Sequence, residues 1–290
     1  MAAVSCALMT TTALADGHCA AGKTLTDGKF TIATGNPAYY PWVIDDKPES
    51  GKGFEAAVAY AVAERMGFAK DAVKWTRTSF DEAIQPGAKD FDFNMQQFSI
   101  TADRDKIVDF SLPYYSAAMA VLVRKPSIEA GLKPELASLK KLKWGAVAAT
   151  TALPVVMGMI KPENDPLLYD DTANVAEAMK SNQIDAGIFD LPTALYLSAV
   201  VLKDGAVLGQ FAPNEAQKLD QFGMLMAEGS TLKECVDEAI TSLTDDGTLA
   251  KIEAGADAVK LYSALVFGGM ELMTSIKKGL VSEMMRHSYK

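Results

Sequence analysis

From Lys29 onward, short apolar runs alternate with stretches in which apolar residues recur at helical spacing. Phe30–Thr34 reads as a strand, and Phe54, Ala57, Val58, Ala61 and Val62 then follow helical periodicity until Gly67 supplies a stop. A strand over Ala72–Thr76 precedes Ser79-Phe-Asp-Glu82, in which an N-cap serine three residues ahead of a glutamate has the form of a capping box. Phe91–Met95 is the next strand. This alternation predicts an α/β unit built on a largely parallel sheet.

The apolar strand Ala117–Val123 leads out of that unit, and Lys125-Pro126, Gly131 and Lys133-Pro134 punctuate a crossing into a second one. There the logic repeats: strand Trp144–Ala148, a turn at Thr150-Thr151, a helix, a second helix over Thr172–Lys180, and strand Ile184–Phe189. Lys89–Met95 and Asn182–Ile188 resemble each other as Asp-led strands feeding polar loops, as two similar halves would. Gln221–Met226 reads as a returning strand. Thr231-Leu-Lys-Glu234 is a second capping-box pattern, opening a helix with Leu232, Cys235, Val236, Ala239, Ile240 and Leu243 on one face. The expected division is residues 24–116 with 222–255 as one lobe, 117–221 as the other, and 256–290 as a helical tail. Lys260, Glu271 and Gly268-Gly269 interrupt that tail too often for a membrane anchor.

A length of 290 residues accommodates two such units, and 49% hydrophobic with 22% charged residues is ordinary for a globular protein. The net charge of −9 argues against a nucleic-acid partner or an anionic lipid surface, so any anion site must be local. Met1–Ala15 carries no charge and ends in Ala13-Leu-Ala15, which reads as a signal peptide cut after Ala15 and implies export to the periplasm, although a basic leading segment is missing. With Cys6 in that segment, Cys19 and Cys235 remain as a pair, either a disulfide or two free thiols. His18 and His287 are the two histidines, and no cysteines stand at metal spacing, so neither a histidine base nor a metal or cofactor site is expected.

The chemistry concentrates in Asp90–Arg104 and Val108–Tyr115. There a strand runs into a hydroxyl- and amide-rich loop and then a helix start bearing an arginine, a layout suited to a small carboxylate. Together with Asn36-Pro-Ala-Tyr-Tyr-Pro-Trp42 and Gly53-Phe-Glu55, these motifs resemble, in order and spacing, the periplasmic polar amino-acid-binding proteins of ABC importers (solute-binding family 3, type II periplasmic binding fold), over Gly28–Lys251. The resemblance implies two α/β lobes joined by crossover strands. They would close on an amino acid and present it to an importer permease, the protein acting as a monomer without catalysis.

Carried over by position, the resemblance makes Arg104 the clamp for the ligand α-carboxylate, with Ser99 and a backbone amide near Gln97 completing the cradle. Thr151, beside Thr150, adds a hydroxyl from the second lobe, and Asp190 takes the ligand ammonium. Tyr39, Trp42 and Phe54 stack on the ligand body. Each has a plainer alternative: a surface ion pair for Arg104, helix caps for Thr151 and Asp190, and hydrophobic core for Trp42 and Phe54. Asn36 stands where relatives that prefer cationic side chains carry an acid, which points to an uncharged polar amino acid. The same fold hosts lyases resembling cyclohexadienyl dehydratase, for which Glu55 or Asp190 would be the acid.

Overall fold

The computed structural model describes residues 19–211 and 219–255; the expected signal peptide and the tail after 255 lie outside the described residues. Lobe 1 is a five-stranded sheet ordered β2-β1-β3-β12-β4, with β1 Phe30–Gly35, β2 Val73–Thr78, β3 Phe93–Met95, β4 Val108–Phe110 and β12 Leu225–Ala227. Lobe 2 is a second five-stranded sheet ordered β10-β6-β9-β7-β8, with β6 Met119–Arg124, β7 Trp144–Val147, β8 Leu167–Tyr169, β9 Ala186–Asp190 and β10 Gly205–Gln210. Each sheet is parallel apart from one strand, β12 in lobe 1 and β6 in lobe 2. Each odd strand is the one that has just arrived from the other lobe, and a chain re-entering from the hinge side meets the others head to tail.

The two crossings pair with each other. β5 (Tyr115–Ala117) and β11 (Asp220–Phe222) form an antiparallel ribbon with Asp220 opposite Ala117 and Phe222 opposite Tyr115. Neither crossing is the single strand that its apolar run predicts. Ala117–Val123 breaks at Ala118, and Gln221–Met226 breaks at Gly223, where Ile100 takes the space for a side chain, 2.9 Å from where a Cβ would lie. In both, the first piece belongs to the hinge ribbon and the second to a sheet, so the chain must turn between them.

Helices cover both faces of each sheet, those of lobe 2 beginning with the short α3 (Lys125–Glu129), α4 (Leu136–Leu139) and α5 (Ala152–Val155). α1 (Phe54–Arg65) buries Phe54, Val58, Ala59, Val62 and Ala63 in one cluster with Phe30, Ile32, Phe93 and the inner face of α8 (Lys233–Asp245). The buried face of α8 is Cys235, Val236, Ala239, Ile240 and Leu243, the periodicity read from the sequence. Its capping box does not form: Leu232 takes the N-cap position without a side-chain bond, and Ser230 turns the chain instead, its N–H donating to Asp109 at 2.7 Å. At the first box, Ser79 Oγ does accept from the Glu82 N–H at 3.2 Å, heading the short helix α2 (Phe80–Ile84).

Cys19 and Cys235 form a disulfide with their Cα atoms 5.5 Å apart, tying the start of the described chain to α8. Gly53, ahead of α1, sits at φ 103° with Trp42 O pressed against the place a Cβ would take. Only glycine tolerates both the dihedral and the approach. That approach lets the N–H groups of Phe54 and Glu55 bond to Pro41 O and Trp42 O, which carries Glu55 inward toward the interlobe space.

Candidate functional site

The lobes meet face to face. Trp42 Nε1 donates to Thr193 Oγ1 at 2.9 Å, the Tyr40 and Tyr196 rings lie 4.7 Å apart, and the Ala173 N–H reaches the Tyr39 hydroxyl at 3.4 Å, each contact spanning the cleft. Between the lobes remains a cavity of about 340 Å³, a size near the lower end of small-molecule sites. Its walls come from the β1 end (Thr34–Tyr39), the β3 loop (Gln96, Gln97, Ser99), the β7 turn (Thr150–Ala152), the start of helix α6 (Thr172–Lys180) and the end of β9.

At one end two hydroxyls from opposite lobes converge. Ser99 Oγ and Thr151 Oγ1 stand 3.2 Å apart, and each donates to Asp220 Oδ2, at 3.0 and 2.9 Å. Arg104 lies behind them and is not itself one of the residues that line the cavity. One terminal nitrogen donates to Ser99 O at 2.8 Å, the other to Ala149 O in the second lobe at 2.7 Å, and the guanidinium carbon sits 5.4 Å from the centre of the Phe80 ring. Burial pulls the Arg104 pKa down, and the Asp220 charge opposes that. A guanidinium has five N–H groups, so these two carbonyls leave donors for an anion.

Glu55 is the buried carboxyl of the cavity, 1% exposed. The Gln97 N–H donates to it at 2.9 Å, and the Gln97 side-chain amide and the Tyr114 hydroxyl donate as well. Desolvation nevertheless raises its pKa from 4.5 to about 7, the three donors opposing the shift and Asp190 adding to it. Between those two values the folded protein holds a proton on Glu55 that the unfolded chain has released, so the contribution of Glu55 to stability falls as pH rises from about 4.5 to about 7, by up to about 1.4 kcal/mol per pH unit. Urea unfolding of the ligand-free protein at both ends of that window should show this decline, and Glu55→Gln should lack it. Parallel profiles for the two proteins would contradict the assignment.

Tyr39, Gln97, Ser99, Thr150, Thr151 and Asp190 line the cavity. The Gln97 backbone amide is spent on Glu55, so it does not complete the cradle. Thr150 Oγ1 donates to Val147 O at 2.9 Å and shapes the turn, which leaves Thr151 as the hydroxyl that reaches across. Asp190 caps helix α7 (Leu191–Tyr196) through the Thr193 N–H at 2.8 Å and also lines the cavity. Trp42 and Phe54 are not brought to the cavity. They are 0% and 1% exposed and pack edge-on with Tyr115, Trp42 also against Phe222, which itself forms part of the wall.

Sequence reasoning missed Asp171 and Asp220. Asp171 caps α6 through the Asn174 N–H at 2.8 Å and stands beside Tyr39, whose pKa is raised by burial and then by that carboxylate. With Asp170 at the rim, Glu55 and Asp190, the wall carries five carboxyl groups and, among the described residues, no basic side chain. Among the described residues no group of histidine, cysteine, aspartate and glutamate is arranged to hold a metal ion. No helix there is long and apolar enough to cross a membrane.

The model of the bacterial extracellular solute-binding proteins, family 3, matches residues 31–255. The L-cystine-binding protein TcyJ of Escherichia coli K12 is 28% identical over 237 residues, covering 79% of this chain and 85% of the relative. An ancestral arginine-binding protein bound to arginine superposes with a TM-score of 0.65 at 26% identity, covering 79% of this chain and 97% of the other. An ancestral amino-acid-binding protein described as a precursor of cyclohexadienyl dehydratase has a TM-score of 0.63 at 26% identity, covering 79% and 94%.

Proposed function

The chain belongs to the bacterial extracellular solute-binding proteins of family 3, and on that premise we propose that its cleft captures an L-amino acid by both charged ends. The α-carboxylate takes the hydroxyls of Ser99 and Thr151 and the remaining N–H groups of Arg104. The ammonium lies against Asp190, and the side chain extends past Tyr39 toward Asn36 and Asp171. Burying both charges is tolerable only because each meets a partner on the protein. The captured amino acid is handed on the extracytoplasmic side to an ABC importer permease, the protein acting as a monomer.

One observation carries this reading: a carboxylate, that of Asp220, is already held by one hydroxyl from each lobe, with the Arg104 charge behind them. That arrangement supports reading the two hydroxyls as a carboxylate seat between the lobes. The carboxyl-rich wall favours a cationic or additional amino-bearing side chain over the uncharged one that Asn36 alone suggests. Glu55 has the raised pKa of an acid catalyst, but its oxygens accept from Gln97 and Tyr114, which favours capture over turnover. Calorimetric titration with the L-amino acids tests the proposal, the expected result being saturable one-to-one binding of a small subset.

A further inference from the structure

Asp220 places a carboxylate inside the cleft between the two lobes. It belongs to β11, the returning half of the hinge ribbon, and register holds it opposite Ala117 with Gln221 O accepting from the Ile100 N–H at 2.8 Å. From there its carboxylate reaches the same pair of hydroxyls that an incoming α-carboxylate needs, Ser99 Oγ at 3.0 Å and Thr151 Oγ1 at 2.9 Å, and it faces Arg104. Two carboxylates cannot share that seat. Like charges at such separation repel strongly, and each hydroxyl has a single proton to donate.

Resting on the amino-acid reading of the cleft, we propose that Asp220 is an internal surrogate for the ligand carboxylate, holding the cradle between the lobes until an amino acid displaces it. Binding then requires the Asp220 side chain to swing out. The apparent affinity is the intrinsic one scaled by the fraction of molecules whose seat is vacant. Asp220 also becomes a specificity residue. A small amine without a carboxylate leaves the aspartate in place and still finds Asp190 and Asp171, whereas an amino acid must compete with it.

The test compares wild-type protein, Asp220→Ala and Asp220→Asn by calorimetric titration with the L-amino acids and with agmatine and histamine, the decarboxylated forms of arginine and histidine. Alanine vacates the seat, and asparagine keeps its shape without the charge and serves should alanine fail to fold. The expected result is a gain of about tenfold or more for the amino acids bound by wild type. No gain, or a loss, is expected for agmatine and histamine. Unchanged or weaker amino-acid binding in both variants, with wild type binding normally, would overturn the surrogate role and leave the amino-acid reading standing. An equal gain for amino acids and amines would overturn it too, by showing general relief rather than a vacated seat. Absence of amino-acid binding in all three proteins would overturn both.

Discussion

Arg104→Ala is expected to weaken amino-acid binding by at least about a hundredfold, roughly 3 kcal/mol on the scale of truncating one partner of a desolvated charge pair. The described wall of the cavity has no basic side chain of its own, so the guanidinium behind Ser99 and Ala149 is the positive charge available to an anion there. Its removal acts twice. The ligand carboxylate loses its counter-charge, and the Asp220 carboxylate, whose field Arg104 offsets, becomes a stronger repellent. The bridge between Ser99 O and Ala149 O also goes, and with it one of the struts that join the lobes. Arg104→Lys should recover only part of the loss, because an ammonium cannot span both carbonyls while presenting a planar fork to a carboxylate. Calorimetry on each variant, with circular dichroism as a check on folding, measures this. Undiminished binding in the alanine variant would remove Arg104 from the site.

Breaking the disulfide should cost about 2–5 kcal/mol of folding stability. The bond joins cysteines 216 positions apart in a chain of 290, so it restricts most of the unfolded chain, and Cys235 lies in the lobe 1 core at 2% exposure. Wild-type protein should therefore unfold at lower urea concentration in the presence of a reductant, while Cys19→Ala should start from that lower midpoint and ignore the reductant. Unfolding indifferent to reductant in wild type would contradict the assignment. The amino-acid site should keep its affinity in the folded variant, since the bond lies at the α8 side of lobe 1 and not among the cavity residues.

What could be read in advance was local. Ser99 and Arg104 lie five positions apart in one loop, and the motif that joins them is written contiguously in the chain. Parity, with Cys6 set aside, paired Cys19 with Cys235 but left a disulfide and two free thiols both open, and the structure forms the bond. The directions of Trp42 and Phe54 were not legible, because an aromatic beside a cleft and one beneath it have the same local sequence. Their burial is decided by the close approach at Gly53 and by Tyr115 and Phe222, contributed by the hinge ribbon. Asp220 was hidden for a similar reason. It reads as the end of a polar loop, and only the pairing of β11 with β5, more than a hundred residues earlier, delivers it to Ser99 and Thr151. Asp171 reads as a helix cap, which it is, and nothing in its neighbours announces that α6 starts at the cavity wall.

The central claim is that the cleft grips an amino acid at its carboxylate and its ammonium. It is tested most directly by titrating the wild-type protein with the L-amino acid that binds best, with that amino acid's carboxamide, and with its N-acetyl form. The account predicts one-to-one binding of the amino acid and a loss of about a hundredfold or more for each derivative, since the first gives Arg104, Ser99 and Thr151 no anion and the second gives Asp190 no cation. Binding of either derivative within a few-fold of the parent, or no binding by any L-amino acid, would contradict it.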